Sequence, residues 1–181
     1  MTLVQHTPFF TEKEASDFVL KIYGYNVRAE PLPSERDQNF RITTDTGDQY
    51  VLKIANALET RDVLEAQNDA MTLLSDKTAF SPEVVPSLDN ETLSEVSSKQ
   101  GTRHFVRMVS FLPGIPLGDT KRHSDDLLRS IGNCLGQIDG AFAEFDHPAT
   151  HRDFHWDLAN ALGVVRKYSL LIEDPALKNL I

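Results

Sequence analysis

The stretch "NFRITTDTGDQYVLKIAN" (Asn39–Asn56) constrains the fold more than any other part of the chain. Phe40 and Ile42 lead into a Thr-Gly-Asp turn, and Tyr50, Leu52 and Ile54 lead out of it, each set spaced by two. Alternation at that period turns one side of each run toward a core, so the stretch is a β-hairpin. Its second strand contains Lys53, in "YVLKIAN", among apolar residues. An ammonium held near a core is costly unless it has an anionic partner. The alternative is a lysine whose stem lies on the sheet while its head stays in water.

The rest of the chain is arranged around this hairpin. Thr11 stands three residues before Glu14, the spacing of a capping box, and Ala15, Phe18, Val19 and Ile22 recur at helical spacing up to Gly24. After the hairpin, "ALETRDVLEAQNDAMTLLSDK" is a helix with Leu64, Met71 and Leu74 as its apolar stripe and Gln67 and Asn68 interrupting the same face. Two short strands are expected around Val84–Leu88 and Glu91–Val96, and "RHFVRMVSFL" is a third, ending at Pro113-Gly114. Leu127, Ile131, Leu135, Ile138 and Phe142 then keep helical register between Ser124 and Phe145, with Asp125 and Asp126 in the first turn. Helix, hairpin, helix, strands and then helices alone is the α+β pattern. The Gly- and Pro-punctuated "PGIPLGD" marks a boundary, giving segments 1–112, 113–119 and 120–181.

Charge and composition exclude several classes. The net charge is −9 and no Lys/Arg-rich run occurs, which argues against nucleic acid or an anionic membrane as the main partner. Cys134 is the single cysteine, so neither a disulfide framework nor a thiolate zinc site is expected. No apolar run is long enough to span a membrane, and the N-terminus lacks the features of a signal peptide. A cytoplasmic location is the expectation.

"HRDFHWDLAN" (His151–Asn160) looks like a kinase catalytic loop, in which a metal-binding Asn lies five residues after the proton-accepting Asp. Five after Asp153 is Leu158, whereas Asn160 is seven after; counting from Asp157 reaches Leu162. The spacing fails. Asp174, before Pro175, suits the cap of a helix rather than a second metal ligand.

The order of "LPSERDQNFRI", "YVLKIAN", "LEAQNDAM", "FLPGIPL", "FDHPATHRDFHWDLANA" and "IEDPALKNLI" resembles the aminoglycoside phosphotransferase and choline-kinase-like superfamily. Within it the chain is similar to the branch of hydroxylysine kinase and of kinase-like domains fused to a pyridoxal-phosphate aminotransferase. The resemblance implies a protein-kinase-like small lobe, an antiparallel sheet of about five strands plus a helix, followed by the first helices of the large lobe. It gives Lys53 the phosphate-binding role. It puts the glycine-free "PSERDQNF", with Ser34, Gln38 and Asn39, where kinases carry a Gly-rich loop. The helix position for the lysine's carboxylate partner falls on Gln67, which cannot neutralise an ammonium; Glu65 is two residues earlier, roughly 200° away around the helix. Backbone groups near Ser110 and Leu112 would meet a purine. The implied activity moves a phosphoryl group from ATP or GTP, with Mg2+, to a hydroxyl of a small amine-bearing acceptor. In that branch "HWDLAN" precedes the catalytic loop by several tens of residues, so the chain is expected to be an N-terminal fragment without catalytic residues and inactive alone.

Two other classes stay open at this level. One is a non-catalytic pseudokinase or interaction module, with a downstream fused aminotransferase as its partner. The other is a metal site at His147, His151 and His155, four apart, as on one helix face. Without a metal, Phe154 and Trp156 would anchor a loop there, with Arg152, Asp153 and Asp157 pairing locally.

Overall fold

The computed structural model describes residues 6–153 and 157–178, in two compact units that divide between Asp146 and His147. The first unit opens with α1 (Glu12–Tyr23), whose capping box is complete. Thr11 Oγ1 accepts from the Glu14 N–H at 3.2 Å, and the Thr11 N–H donates to Glu14 Oε2 at 2.8 Å. Gly24 ends the helix in the left-handed region, φ 77°, with its N–H on the Leu20 carbonyl.

Six antiparallel strands follow: β1 (Val27–Leu32), β2 (Gln38–Thr44), β3 (Gln49–Ile54), β4 (Val84–Val85), β5 (Ser94–Ser97) and β6 (Arg103–Ser110). Their order is β1-β2-β3-β6-β4, with β5 also paired to β6. The expected hairpin forms, with Phe40 opposite Leu52 and Ile42 opposite Tyr50. The strand expected over Val84–Leu88 stops after two residues, and the next begins at Ser94 rather than Glu91. Pro86 has no N–H for a ladder, and a turn closed by Ser87 N–H on Glu91 O, with Asn90 at φ 63°, takes the chain between them.

Register assigns the two faces of the sheet. Phe40, Ile42, Leu52, Ile54, Val106 and Met108, none more than 1% exposed, pack with Ala15, Val19 and Tyr23 of α1. Each such side chain contributes about 1.5–3 kcal/mol by leaving water, so this face carries the core. The other face takes α2 (Arg61–Lys77) through a smaller cluster of Ala55, Leu64, Leu93 and Phe105. The buried stripe of α2 is Val63, Leu64, Ala66 and Asn68. Met71 and Leu74, expected in that stripe, are only half-buried, and Gln67 lies at the rim. Beyond the sheet, α3 (Asp125–Phe142) starts at the Ser124 cap and is tied to the end of α2 by Lys77 Nζ on the Ala141 carbonyl, 3.1 Å.

The second unit has two α-helices among its described residues, α4 (Ala161–Tyr168) and α5 (Pro175–Lys178). Asp174 caps α5 as expected, its Oδ1 accepting from the Ala176 N–H at 2.8 Å. No described helix is long and apolar enough to cross a membrane.

Candidate functional site

On the α2 face, three polar side chains lie in a row across the sheet. Asn39 of β2 is opposite Lys53 of β3, and Lys53 is opposite Arg107 of β6. Alternation gives all three the face that the core does not use. Lys53 Nζ donates to Asn39 Oδ1 at 3.2 Å, and Asn39 Nδ2 donates to Ser34 Oγ at 3.2 Å in the glycine-free loop. Burial, and then the charge of Arg107, push the half-buried Lys53 ammonium below its ordinary pKa, and Asp37 offsets part of this. Among the described residues neither Lys53 nor Arg107 forms an ion pair with a carboxylate.

Arg107 is the residue missing from the sequence-based site. It is 6% exposed, and its guanidinium is held by α2. Nη1 donates to Asn68 Oδ1 at 2.7 Å and to the Leu64 carbonyl at 3.2 Å, and Nη2 donates to Gln67 Oε1. Gln67 therefore meets Arg107, and Glu65 meets Arg61 at 3.4 Å; Lys53 takes Asn39 instead. The signal was present in "FVRMV", where a cation stands in an apolar strand just as Lys53 does in "YVLKI".

The loop before β2 is held by side chains. Asn56, 1% exposed, donates from its N–H to Asp37 Oδ1 at 3.0 Å and from Nδ2 to the Arg36 carbonyl at 3.2 Å, while Arg36 pairs with Glu59. Asn39 stands beside Lys53, and Ser34 is bonded to Asn39. Gln38 is not beside Lys53: it shares the face of Phe40, and both ends of its amide bind the Phe10 backbone at 2.8 Å. Ser110 is bound to Glu83, its N–H donating to that carbonyl at 2.8 Å and its hydroxyl accepting from that N–H at 2.9 Å. Leu112 lies just past β6 with its side chain partly exposed.

The "HRD" segment is engaged locally. Asp153 Oδ1 accepts from Asn160 Nδ2 at 2.8 Å, and Asp157 Oδ1 accepts from the Ala159 N–H at 2.9 Å, capping a 3-10 turn. Pro148–Thr150 is likewise a single 3-10 turn, with His147 Nδ1 accepting from the Ala149 N–H and His151 at the turn's end. His155, like Phe154 and Trp156, lies outside the described residues. Among the described residues no group of three or more His, Cys, Asp and Glu is placed to hold a metal ion.

Residues 28–178 match the phosphotransferase enzyme family over most of the chain. The chain belongs to this family. Its members with similar sequences include the hydroxylysine kinase of Mus musculus, 35% identical over 89% of this chain and 47% of that protein. The hydroxylysine kinase of Danio rerio is 26% identical over 98% of this chain and 53% of that protein. The chain therefore spans about half the length of the curated relatives it matches. Among solved structures, an amicoumacin kinase in complex with AMP-PNP, Ca2+ and Ami superposes with a TM-score of 0.68 at 14% identity, covering 94% of this chain and 54% of that one. A microcompartment-associated aminopropanol kinase superposes at 0.64 with 18% identity, covering 86% and 48%. The kinase-like α+β fold is thereby shown, with six strands in the sheet rather than about five.

Proposed function

We propose that this chain supplies the nucleotide-binding lobe of a small-molecule kinase, with Lys53 meeting the phosphates. One observation supports this above the others: a half-buried ammonium stands beside a buried guanidinium, and neither has a carboxylate ion pair among the described residues. Cations kept out of water need anions, and a phosphate chain supplies them. Ser34 and Asn39 stand on the same side and offer hydrogen bonds to that anion. The segment 113–119 is the proposed lobe boundary, with backbone near Leu112 available to a purine.

For the complete protein, a hydroxyl of a small amine-bearing molecule is the proposed acceptor, in line with the names of the hydroxylysine and aminopropanol kinases. ATP or GTP is the proposed donor. The AMP-PNP and Ca2+ in the amicoumacin kinase complex support a nucleotide used with a divalent metal, for which Mg2+ is our proposal. The described residues provide no carboxylate cluster for that metal, so no step is assigned to it.

The test is equilibrium binding of ATP and GTP to the chain and to its Lys53→Met variant. Binding that weakens about tenfold or more in the variant supports the proposal, since a charge-assisted contact to phosphate contributes about 1.5–3 kcal/mol. Equal binding by both proteins refutes it and favours the non-catalytic interaction module.

A further inference from the structure

We propose that Arg107 is the positioning residue of the phosphate site, and that the neutrality of its clamp, Gln67 and Asn68, suits that site to a phosphate chain. The inference rests on the nucleotide reading of Lys53. In the arrangement expected from the family, a helix carboxylate draws the strand lysine toward the helix. Here the helix side is taken by Arg107, which donates to Asn68 Oδ1, Gln67 Oε1 and the Leu64 carbonyl. Lys53 stands between Asn39 and Arg107 in the sheet, and its ammonium is bound on the Asn39 side, next to Ser34. Like charges on neighbouring strands repel, so Arg107 both fastens α2 and keeps Lys53 turned toward the glycine-free loop.

Amide acceptors hold a guanidinium without cancelling it. Asp37 is the carboxylate that acts on both cations, and its Oδ1 is engaged by the Asn56 N–H. Glu59 also acts on Arg107 but pairs with Arg36. The charge left over selects for ligands by their number of phosphates. A carboxylate at position 67 would have the shape of the present glutamine, would bind Arg107 rather than Lys53, and would remove that excess.

The experiment is calorimetric titration of the full chain, Lys53→Met, Gln67→Glu, Arg107→Lys and Arg107→Met with adenosine and ATP, after thermal melts show which variants are folded. The measured quantity is the ratio of ATP affinity to adenosine affinity. Gln67→Glu is expected to lower it roughly three- to tenfold, the effect of one added charge at a partly solvated distance. Arg107→Lys loses the fork of hydrogen bonds but keeps the positive charge, and is expected to hold the ratio within about twofold of the wild type, while Arg107→Met, which removes the charge, lowers it at least threefold. A ratio unchanged or raised in Gln67→Glu overturns the inference, as do equal ratios in the two Arg107 variants. If the wild type binds no nucleotide, the proposed function falls as well. If it binds, and only Lys53→Met weakens it, this inference falls alone.

Discussion

Arg107→Met replaces a guanidinium by an apolar side chain of similar reach, and the partners it abandons set the cost. Three acceptors lose a donor: Asn68 Oδ1, Gln67 Oε1 and the Leu64 carbonyl. They do not cost the same. Gln67 is exposed, so water replaces the guanidinium there. The Leu64 carbonyl belongs to the hydrogen-bond ladder of α2 and loses only a second bond. Asn68 is 3% exposed, and its Oδ1 is left buried and unpaired at about 1–3 kcal/mol. Removing a desolvated charge returns part of this, and burial does lower the Arg107 pKa. The net expectation is a loss of about 1–2 kcal/mol, against a total stability on the order of 5–15 kcal/mol. Equilibrium urea unfolding reads it as a midpoint lower by roughly 0.5–1 M with the slope unchanged. The double variant Arg107→Met/Asn68→Leu should recover part of the loss, because an unpaired amide is replaced by an apolar group. It does not recover all, since Asn68 Nδ2 also donates to the Thr92 carbonyl at 3.1 Å. A midpoint for Arg107→Met at or above the wild type would refute the account of this cluster.

Lys53→Met should stabilise the unliganded chain by about 1 kcal/mol at neutral pH while weakening nucleotide binding. The folded-state pKa of Lys53 lies below its ordinary 10.5, so the cost of its charge is complete at neutral pH and fades as pH rises toward that value; urea midpoints of both proteins across alkaline pH should converge. Glu14 is held down to about 2, first by the Thr11 N–H and hydroxyl and then by Lys99. Its contribution to α1 is thus present above about 4.5 and lost as pH falls toward about 2, and circular dichroism should show Glu14→Gln lacking that acid-dependent step. Gly24→Ala puts a Cβ at φ 77° and 3.2 Å from Leu88 Cδ2, so about 1–2 kcal/mol and a few degrees of melting temperature should go, an unchanged melt being the contrary result.

Local physics made much of this fold legible in one dimension. A capping box needs residues three apart, a hairpin needs alternation about a turn, and the Asp174 cap needs only its neighbours. Period-two alternation also contained information that the loop assignment of Gln38 passed over: a residue two before Phe40 shares its face, and so points away from Lys53. "FVRMV" carried the same signal as "YVLKI". What no local rule supplies is which strand lies beside which. Only the insertion of β6 between β3 and β4 sets Arg107 opposite Lys53, 54 positions away in the chain, and gives Gln67 a guanidinium instead of an ammonium. The sequence by itself determined the capped first helix, the hairpin and the lysine in its second strand, because these depend on spacings of a few residues. The tertiary structure alone decided the lysine's neighbours, because sheet order is chosen by how the whole apolar face is buried against α1, and the polar face receives whatever that choice places upon it.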